Sequence, residues 1–104
     1  MLKVSVLYPY CGGTEFNIRY YCESHIPMVQ KLLGAACVGV SVEHGLSGGE
    51  AGSPPAFIAM GHLFFDSIEA FMASFPPCAE VIMADIPNYT SIKPVLQISE
   101  VKIR

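Results

Sequence analysis

The segment Phe57–Phe65, FIAMGHLFF, constrains the fold more than any other part of the sequence. Its length suits a β-strand, and the side chains of a strand point alternately to the two faces of a sheet. One set of alternate positions holds Phe57, Ala59, Gly61, Leu63 and Phe65, and the other holds Ile58, Met60, His62 and Phe64. Both sets are largely apolar, so both faces of this strand must be covered.

The chain is too short to cover both faces by itself. It has 104 residues, which indicates one domain, and it is 52% hydrophobic with only 14% charged residues. No apolar run approaches the about 20 residues of a membrane helix, and residues 1–13 lack the pattern of a secretory signal. We therefore expect a cytoplasmic protein that hides apolar surface in a ligand cavity or against a second copy of the chain.

Periodicity predicts the elements in the order strand, helix, strand, strand, helix, strand. The predicted strands are residues 2–8, 37–44, 56–65 and 94–103, and the predicted helices are 16–33, 67–75 and a shorter 78–84. The prolines at 76 and 77 are expected to end the second helix. The glycine-, serine- and proline-rich loop 45–55 suits a flexible flap over a cavity.

This order indicates an α+β architecture, the ferredoxin-like βαββαβ sandwich. Two right-handed strand–helix–strand units share a four-stranded antiparallel sheet, and both helices lie on one face. The other face is then left open, although residues 57–65 are apolar on both sides. We expect a homodimer in which two open faces pack together as a dimeric α/β barrel, with small-molecule cavities between sheet and helices.

His25 is the main candidate for chemistry. It lies on the apolar side of the helix 16–33, where Pro27 should break the helix near residues 25–27. A structural role would have one ring nitrogen donate to a carbonyl freed by Pro27, whereas a functional role would point the other nitrogen into a cavity as an acid or base. The two roles are compatible. Tyr21 precedes His25 by one helical turn on the same face, and its ring either reaches the same cavity or packs at the core edge.

The other candidates have competing structural explanations. His62 suits a core or interface position as well as a pocket wall, and His44 is expected to be solvated near the flap. Tyr89 suits the mouth of a pocket, and Asp85 is expected to stabilise a turn rather than to act in catalysis. The phenylalanines 57, 64, 71 and 75 and Met60 are expected in the core or interface, with some lining the ligand site.

Other classes of function lack their signals. The three histidines form no local metal-binding pair, and the cysteines at 11, 22, 37 and 78 have no zinc or iron–sulfur spacing, so no metal is expected and the thiols should mostly be small buried hydrophobes. No glycine motif indicates a nucleotide cofactor. A net charge of −3 with scattered cations argues against nucleic acid as a partner.

Four segments together resemble a known family. They are FNIRYYCESHIPMVQKLLG, FIAMGHLFFDSIEAF, ADIPNYT and PVLQISEV, and they cover nearly the whole chain. The combination of Tyr-Tyr, His-x-Pro and Asp-Ile-Pro-Asn in this order is similar to the EthD-like proteins of the dimeric α+β barrel superfamily. The resemblance implies a single domain over residues 1–104 and a homodimeric barrel.

The resemblance also implies small-molecule chemistry without naming a reaction. The founding EthD protein is associated with bacterial degradation of ethyl tert-butyl ether beside a cytochrome P450, and cofactor-free monooxygenases, polyketide cyclases, isomerases and decarboxylases share the wider superfamily. We expect a small apolar organic ligand, no cofactor, and oxidation or isomerisation in a catabolic pathway. His25 would be the catalytic residue, and the substrate-binding residues would be Tyr21, Met60, His62, Phe64 and Tyr89. The alternatives are a non-catalytic carrier for a partner oxygenase and a structural dimer whose cavity is filled by side chains.

Overall fold

Four antiparallel strands form the sheet in a computed structural model that describes all residues, 1–104. The strands are β1 (Leu2–Pro9), β2 (Cys37–His44), β3 (Phe57–Phe65) and β4 (Val95–Glu100), and their order across the sheet is β2-β3-β1-β4. The helices between β1 and β2 and between β3 and β4 pack on the same face. The predicted ferredoxin-like sandwich is confirmed.

The helices begin and end near the predicted positions. They are α1 (Ile18–Tyr20), which continues through a π-helical turn (Tyr21–His25) into α2 (Ile26–Leu33), then α3 (Ile68–Ser74) and α4 (Pro76–Ala84). The Asn17 side chain caps α1 by accepting from the Tyr20 N–H at 3.0 Å, and Ser67 caps α3 by accepting from the Ala70 N–H at 3.1 Å. Gly34 follows α2 with a φ of 61°, a conformation that favours glycine.

The expected break in the first helix is a π-helical turn. The N–H of Ile26 donates to the carbonyl of Tyr21, five residues back, and ordinary α-helix resumes at Ile26. Pro27 lies in the first turn of α2, where an N–H is not required. The wider turn buries Tyr21, His25 and Ile26 together but leaves Cys22 exposed, so the prediction that Cys22 faces the core is wrong.

Three other predictions need correction. The prolines at 76 and 77 follow the end of α3 as predicted, but they also form the first turn of α4, which begins at Pro76 and not at residue 78. The last strand ends at Glu100 and not at residue 103. Residues 45–55 do not line the cavity between sheet and helices or the surface groove beside β4, so this loop is not a flap over either of them.

The core consists of two clusters on the helix side of the sheet. The larger contains Val4, Val29, Leu33, Leu63, Phe65, Phe71, Phe75 and Ile82. The smaller contains Tyr8, Tyr21, Ile26, Ala59, Tyr89 and Ile92, and its tyrosines surround His25. This aromatic cluster brings together β1, the π turn and the segment after α4. No helix of the chain is long and apolar enough to cross a membrane.

Candidate functional site

His25 is buried at the end of the π turn, with 4% of its surface exposed. Its Nδ1 lies 2.8 Å from Oδ2 of Asp85, and its Nε2 lies 3.4 Å from the hydroxyl of Tyr89. An ionised carboxylate only accepts hydrogen bonds, so the proton of a neutral His25 is on Nδ1 and a lone pair is on Nε2. The partner of Nδ1 is thus a carboxylate and not, as expected, a carbonyl freed by Pro27.

Asp85 is the residue that orients His25, a role that the sequence did not reveal. It follows α4, and its Oδ1 accepts from the Tyr20 hydroxyl and from the Asn88 amide, each at 2.8 Å. Burial opposes ionisation, but the hydrogen bonds from Asn88, His25 and Tyr20 together keep the pKa of Asp85 below its usual value. The Asp85 carbonyl also accepts from the Asn88 N–H, so the expected turn is present as well.

Burial determines the charge state of the imidazole. It lowers the pKa of His25, and the hydrogen bond and charge of Asp85 only partly offset this effect. His25 is therefore neutral at neutral pH. Since Asp85 accepts the Nδ1 proton, the free Nε2 lone pair gives the ring the form that a general base needs.

Two buried tyrosines, Tyr21 and Tyr89, contact His25, and a third, Tyr8, contacts both of them. Tyr21 stacks on the imidazole ring at 5.4 Å and 14°, and the hydroxyls of Tyr8 and Tyr89 are 2.6 Å apart. Because Nε2 accepts, Tyr89 donates to His25, and its own oxygen is left to accept from Tyr8. Burial is the largest of the effects that raise the pKa of each of these tyrosines, so their hydroxyls stay protonated and can donate.

A small chamber of about 30 Å³ lies between the sheet and the helices beside this cluster. Its walls come from β1, β3 and β4 on one side and from the first helix and α4 on the other. Every lining residue except His25 and Gly61 is hydrophobic, and Tyr8 and Tyr21 are among them. The chamber is therefore an apolar space with the polar atoms of one imidazole and two phenols at its wall.

Tyr89 does not line the chamber. It lines a surface cleft formed by residues 13–17 and 87–91, and its hydroxyl contacts Tyr8 and His25 on the chamber side. Tyr89 thus lies in the wall between this cleft and the chamber. The role of Tyr89 at a pocket mouth therefore stays a prediction.

The structure does not bring Met60, His62 and Phe64 to the same cavity. Gly61 and Leu63 of β3 line the chamber, so the alternate residues Met60, His62 and Phe64 point to the open face of the sheet. A role for them in a ligand site would belong to that open face.

His62 has its own partners on the open face. Its Nδ1 is 2.9 Å from Oγ of Ser5, and its Nε2 is 3.6 Å from Glu43. Burial and the nearby charge of Lys3 lower its pKa, and Glu43 partly offsets them.

Potential metal ligands are dispersed. No group of three or more His, Cys, Asp or Glu side chains is arranged to hold a metal ion. Cys11 and Cys22 are exposed, which corrects the expectation of mostly buried thiols, and Cys37 and Cys78 are half-buried. His44 is exposed at the end of β2, as predicted.

The fold and the strand order define a ferredoxin-like α+β protein with a buried imidazole between sheet and helices. The EthD domain family matches residues 14–93. The chain therefore belongs to the EthD family. A comparison with curated proteins gives no match.

Solved structures agree with this assignment. An EthD-like protein from Ralstonia eutropha JMP134 is 50% identical with a TM-score of 0.94, over 98% of this chain and 92% of that one. An EthD-family protein from Bacillus halodurans C-125 is 17% identical with a TM-score of 0.72, over 97% and 98%. A dimeric ferredoxin-like protein of unknown function from Thermobifida fusca YX is 16% identical with a TM-score of 0.58, over 96% and 90%. The last two show the shared fold alone.

Proposed function

We propose that this EthD-family protein binds a small, largely apolar organic molecule beside His25 and acts on it by acid–base chemistry without a bound cofactor. The observation that carries the proposal is the neutral, buried imidazole of His25, which lines the chamber and which Asp85 orients so that Nε2 is unprotonated and faces the Tyr89 hydroxyl. An oriented base in an apolar cavity is an arrangement suited to removing a proton from a bound molecule.

The chemistry begins with proton transfer to Nε2. A C–H next to a carbonyl, or a phenolic O–H, would give up its proton to His25, and the electron pair would move onto the ligand oxygen. The protonated hydroxyl of Tyr21 would donate to that oxyanion. Return of the proton to another carbon completes an isomerisation. Oxidation would instead use dioxygen as co-substrate, which accepts the electron pair of the deprotonated ligand.

Assembly and cellular context belong to the same proposal. The open sheet face carries the apolar side chains of Met60 and Phe64, and the Thermobifida relative is described as dimeric. These points support a homodimer through the open face. Membership of the EthD family, whose founding member is associated with the degradation of ethyl tert-butyl ether, supports a catabolic role, and we place the protein in the cytoplasm.

The size of the chamber favours one of the alternatives, a structural dimer whose cavity is filled by side chains. A space of about 30 Å³ is nearly filled by side chains and does not hold a ring. A non-catalytic protein that carries a metabolite for a partner oxygenase would need the same apolar walls but no base. Turnover is therefore the property that separates the proposed catalyst from the carrier.

The experiment is a thermal-shift screen of small phenols, lactones, quinones, alcohols and ketones on the wild type and on His25→Asn. A ligand that binds the folded state raises its melting temperature. A compound that stabilises only the wild type supports a site at His25, and its turnover is then measured. Binding without turnover, with Asp85 intact, would support the carrier. If both proteins respond alike to every compound, His25 does not contact the ligand and the proposal fails.

A further inference from the structure

The size of the chamber limits which part of a ligand can enter it. Its volume of about 30 Å³ exceeds the about 10–15 Å³ that one water molecule needs, so it holds one or two atoms of that size. One oxygen function fits this space, whereas a ring or a branched carbon skeleton does not. The polar atoms that meet such an oxygen belong to His25, Tyr8 and Tyr21.

A much larger surface groove adjoins the chamber. It has a volume of about 640 Å³ and shares three wall residues with the chamber, Met83, Ile86 and Leu96. Met83 and Leu96 are each 38% exposed, although Leu96 pairs with Val6 and points to the helix side of the sheet. The exposure arises because β4 is an edge strand that the helices do not fully cover.

The charges around the two spaces favour a neutral ligand. The chamber has no cationic side chain, and the ionised Asp85 lies behind His25. Lys93 is the only charged residue of the groove, and it does not line the chamber. A carboxylate in the chamber would therefore be buried without a positive partner, which is strongly unfavourable.

We propose that the ligand of this site is a neutral aliphatic alcohol or ketone whose single oxygen enters the chamber and whose hydrocarbon body lies in the groove over Met83, Ile86 and Leu96. The inference rests on the proposed function and narrows its ligand to one class and one orientation. Within that class the ketone carries the acidic C–H that His25 would deprotonate, and the alcohol binds in the same way without reacting. The inference also assigns a role to each end of the site. The Tyr8 hydroxyl would bind the oxygen in the chamber, the inner end, and Leu96 at the β4 edge would contact the hydrocarbon in the groove, the outer end.

Gly61 explains why the hydroxyl of Tyr21 can reach the chamber wall. A Cβ added there would lie 2.0 Å from the Tyr21 hydroxyl oxygen, so the absence of a side chain makes room for that group. Tyr8 is held from the other side by its contact of 2.6 Å with Tyr89. The two phenols, Tyr8 from β1 and Tyr21 from the π turn, therefore lie side by side in the chamber wall, with ring centroids 5.7 Å apart.

The test is calorimetric titration of the full-length protein with the primary alcohols from 1-butanol to 1-octanol, and with the sodium carboxylates of equal length. Burial of each additional methylene in the groove should raise the affinity about fourfold until the groove is filled. The carboxylates should bind at least about tenfold more weakly than the alcohols, because they would lose their hydration without a cationic partner.

Two pairs of variants test the two ends of the site. Leu96→Ser should reduce the gain per methylene, while its matched control Ile98→Ser, exposed on the same face of the same strand, should not. Tyr8→Phe should weaken all alcohols by about tenfold, the usual effect of one lost buried hydrogen bond, while Tyr10→Phe at an exposed position should have no effect.

The pattern of results separates this inference from the proposed function. Binding that depends on Tyr8 but gains nothing from chain length or from Leu96 would overturn the inference and leave the site at His25 intact. Affinity that rises with chain length but ignores Tyr8 would overturn the inference, because the oxygen would then not meet Tyr8. If His25→Asn also left that affinity unchanged, the proposed function would fail as well. Carboxylates that bind as well as alcohols, or alcohols that do not bind, would overturn the inference alone.

Discussion

At the scale of single residues, the chemistry depends on Asp85 as much as on His25. Burial alone would leave the proton of a neutral imidazole on either nitrogen. The contact of 2.8 Å between Nδ1 and the Asp85 carboxylate selects the tautomer with a free Nε2. The hydrogen bonds from Tyr20 and Asn88 hold that carboxylate in place, so the basic nitrogen is oriented by groups that do not line the chamber.

Replacement of Asp85 by Asn should reverse the tautomer. The amide of Asn would donate to Nδ1 in place of the carboxylate that accepts, which puts the proton on Nε2. We expect the imidazole ¹⁵N shifts of His25 to show a protonated Nδ1 in the wild type and a protonated Nε2 in Asp85→Asn. The exposed His44 is an internal control. An unchanged pattern in Asp85→Asn would mean that Asp85 does not determine the tautomer.

The two buried histidines should make the protein less stable in mild acid. The pKa of His25 and of His62 in the folded protein lies below the ordinary 6.5. The unfolded chain therefore takes up protons first, and the free energy of unfolding should fall as the pH drops through 6.5 towards the folded values. Below pH 3.8, protonation of Asp85 should lower the free energy of unfolding further, because the pKa of this carboxyl in the folded protein lies below 3.8.

Urea unfolding between about pH 8 and pH 5 measures this dependence. The variant His25→Gln/His62→Gln should lose less stability over the range, although it starts from a lower value. The matched variant His44→Gln should follow the wild type, since His44 is exposed. Equal slopes in all three proteins would show that the buried histidines are not the cause.

At the scale of the elements, the π turn and one glycine of β3 place the aromatic cluster. The π turn rotates the first helix so that Tyr21, His25 and Ile26 all face the sheet. Opposite them, Gly61 leaves a gap in β3 that the hydroxyl of Tyr21 fills. The helix and the strand are therefore matched to each other at a single contact.

Gly61→Ala should destabilise the protein through this contact. The added Cβ would lie 2.0 Å from the Tyr21 hydroxyl oxygen, and overpacking of this kind costs about 1–3 kcal/mol. In Tyr21→Phe that oxygen is absent and the nearest ring atom is 3.2 Å away, so the double variant should lose less than the sum of the two single losses.

A double-mutant cycle by urea unfolding measures the coupling. Gly39→Ala is the matched control, because its new Cβ would be 3.7 Å from Phe64, an ordinary contact. Additive losses at Gly61 and Tyr21 would show that the strand or the helix moves away and that the contact does not position the tyrosine.

At the scale of the whole molecule, the open face of the sheet is the surface most in need of a partner. The helices cover one face, while Met60, His62 and Phe64 point away from them. Ser5 and Glu43 accompany His62 there, so the face is mixed and not uniformly apolar. A second copy packed on this face would bury the apolar groups and leave the polar ones to pair.

Phe64→Glu should break such a dimer. An unpaired charge buried in an interface costs about 3–5 kcal/mol, which weakens the dimer by about a hundredfold or more. Light scattering after size exclusion should give twice the chain mass of 11.3 kDa for the wild type and the single mass for the variant.

Met72→Glu is the control for added charge, since Met72 is exposed on α3. It should remain dimeric. A monomeric wild type would contradict the proposed assembly, and a dimeric Phe64→Glu would place the interface elsewhere.

Most of the fold could be predicted, and half of the site could not. Alternation along residues 57–65 and the three- and four-residue steps before Gly34 are local patterns, and they predicted β3 and the first helix correctly. Tyr21 and His25 could be paired because they lie one turn apart. Asp85 is separated from His25 by 60 residues, so its carboxylate has no local signal.

The sequence by itself determined the order of the elements, the four-stranded sheet and the position of His25 at a break in the helix, because each follows from periodicity, proline and glycine over short distances. Only the tertiary structure decided which groups meet His25. The contacts of His25 with Asp85 and Tyr89, and of Tyr89 with Tyr8, join elements distant in the chain, and the chamber is the space left where these elements pack. The face on which His62 lies was likewise decided by which side of β3 the helices cover.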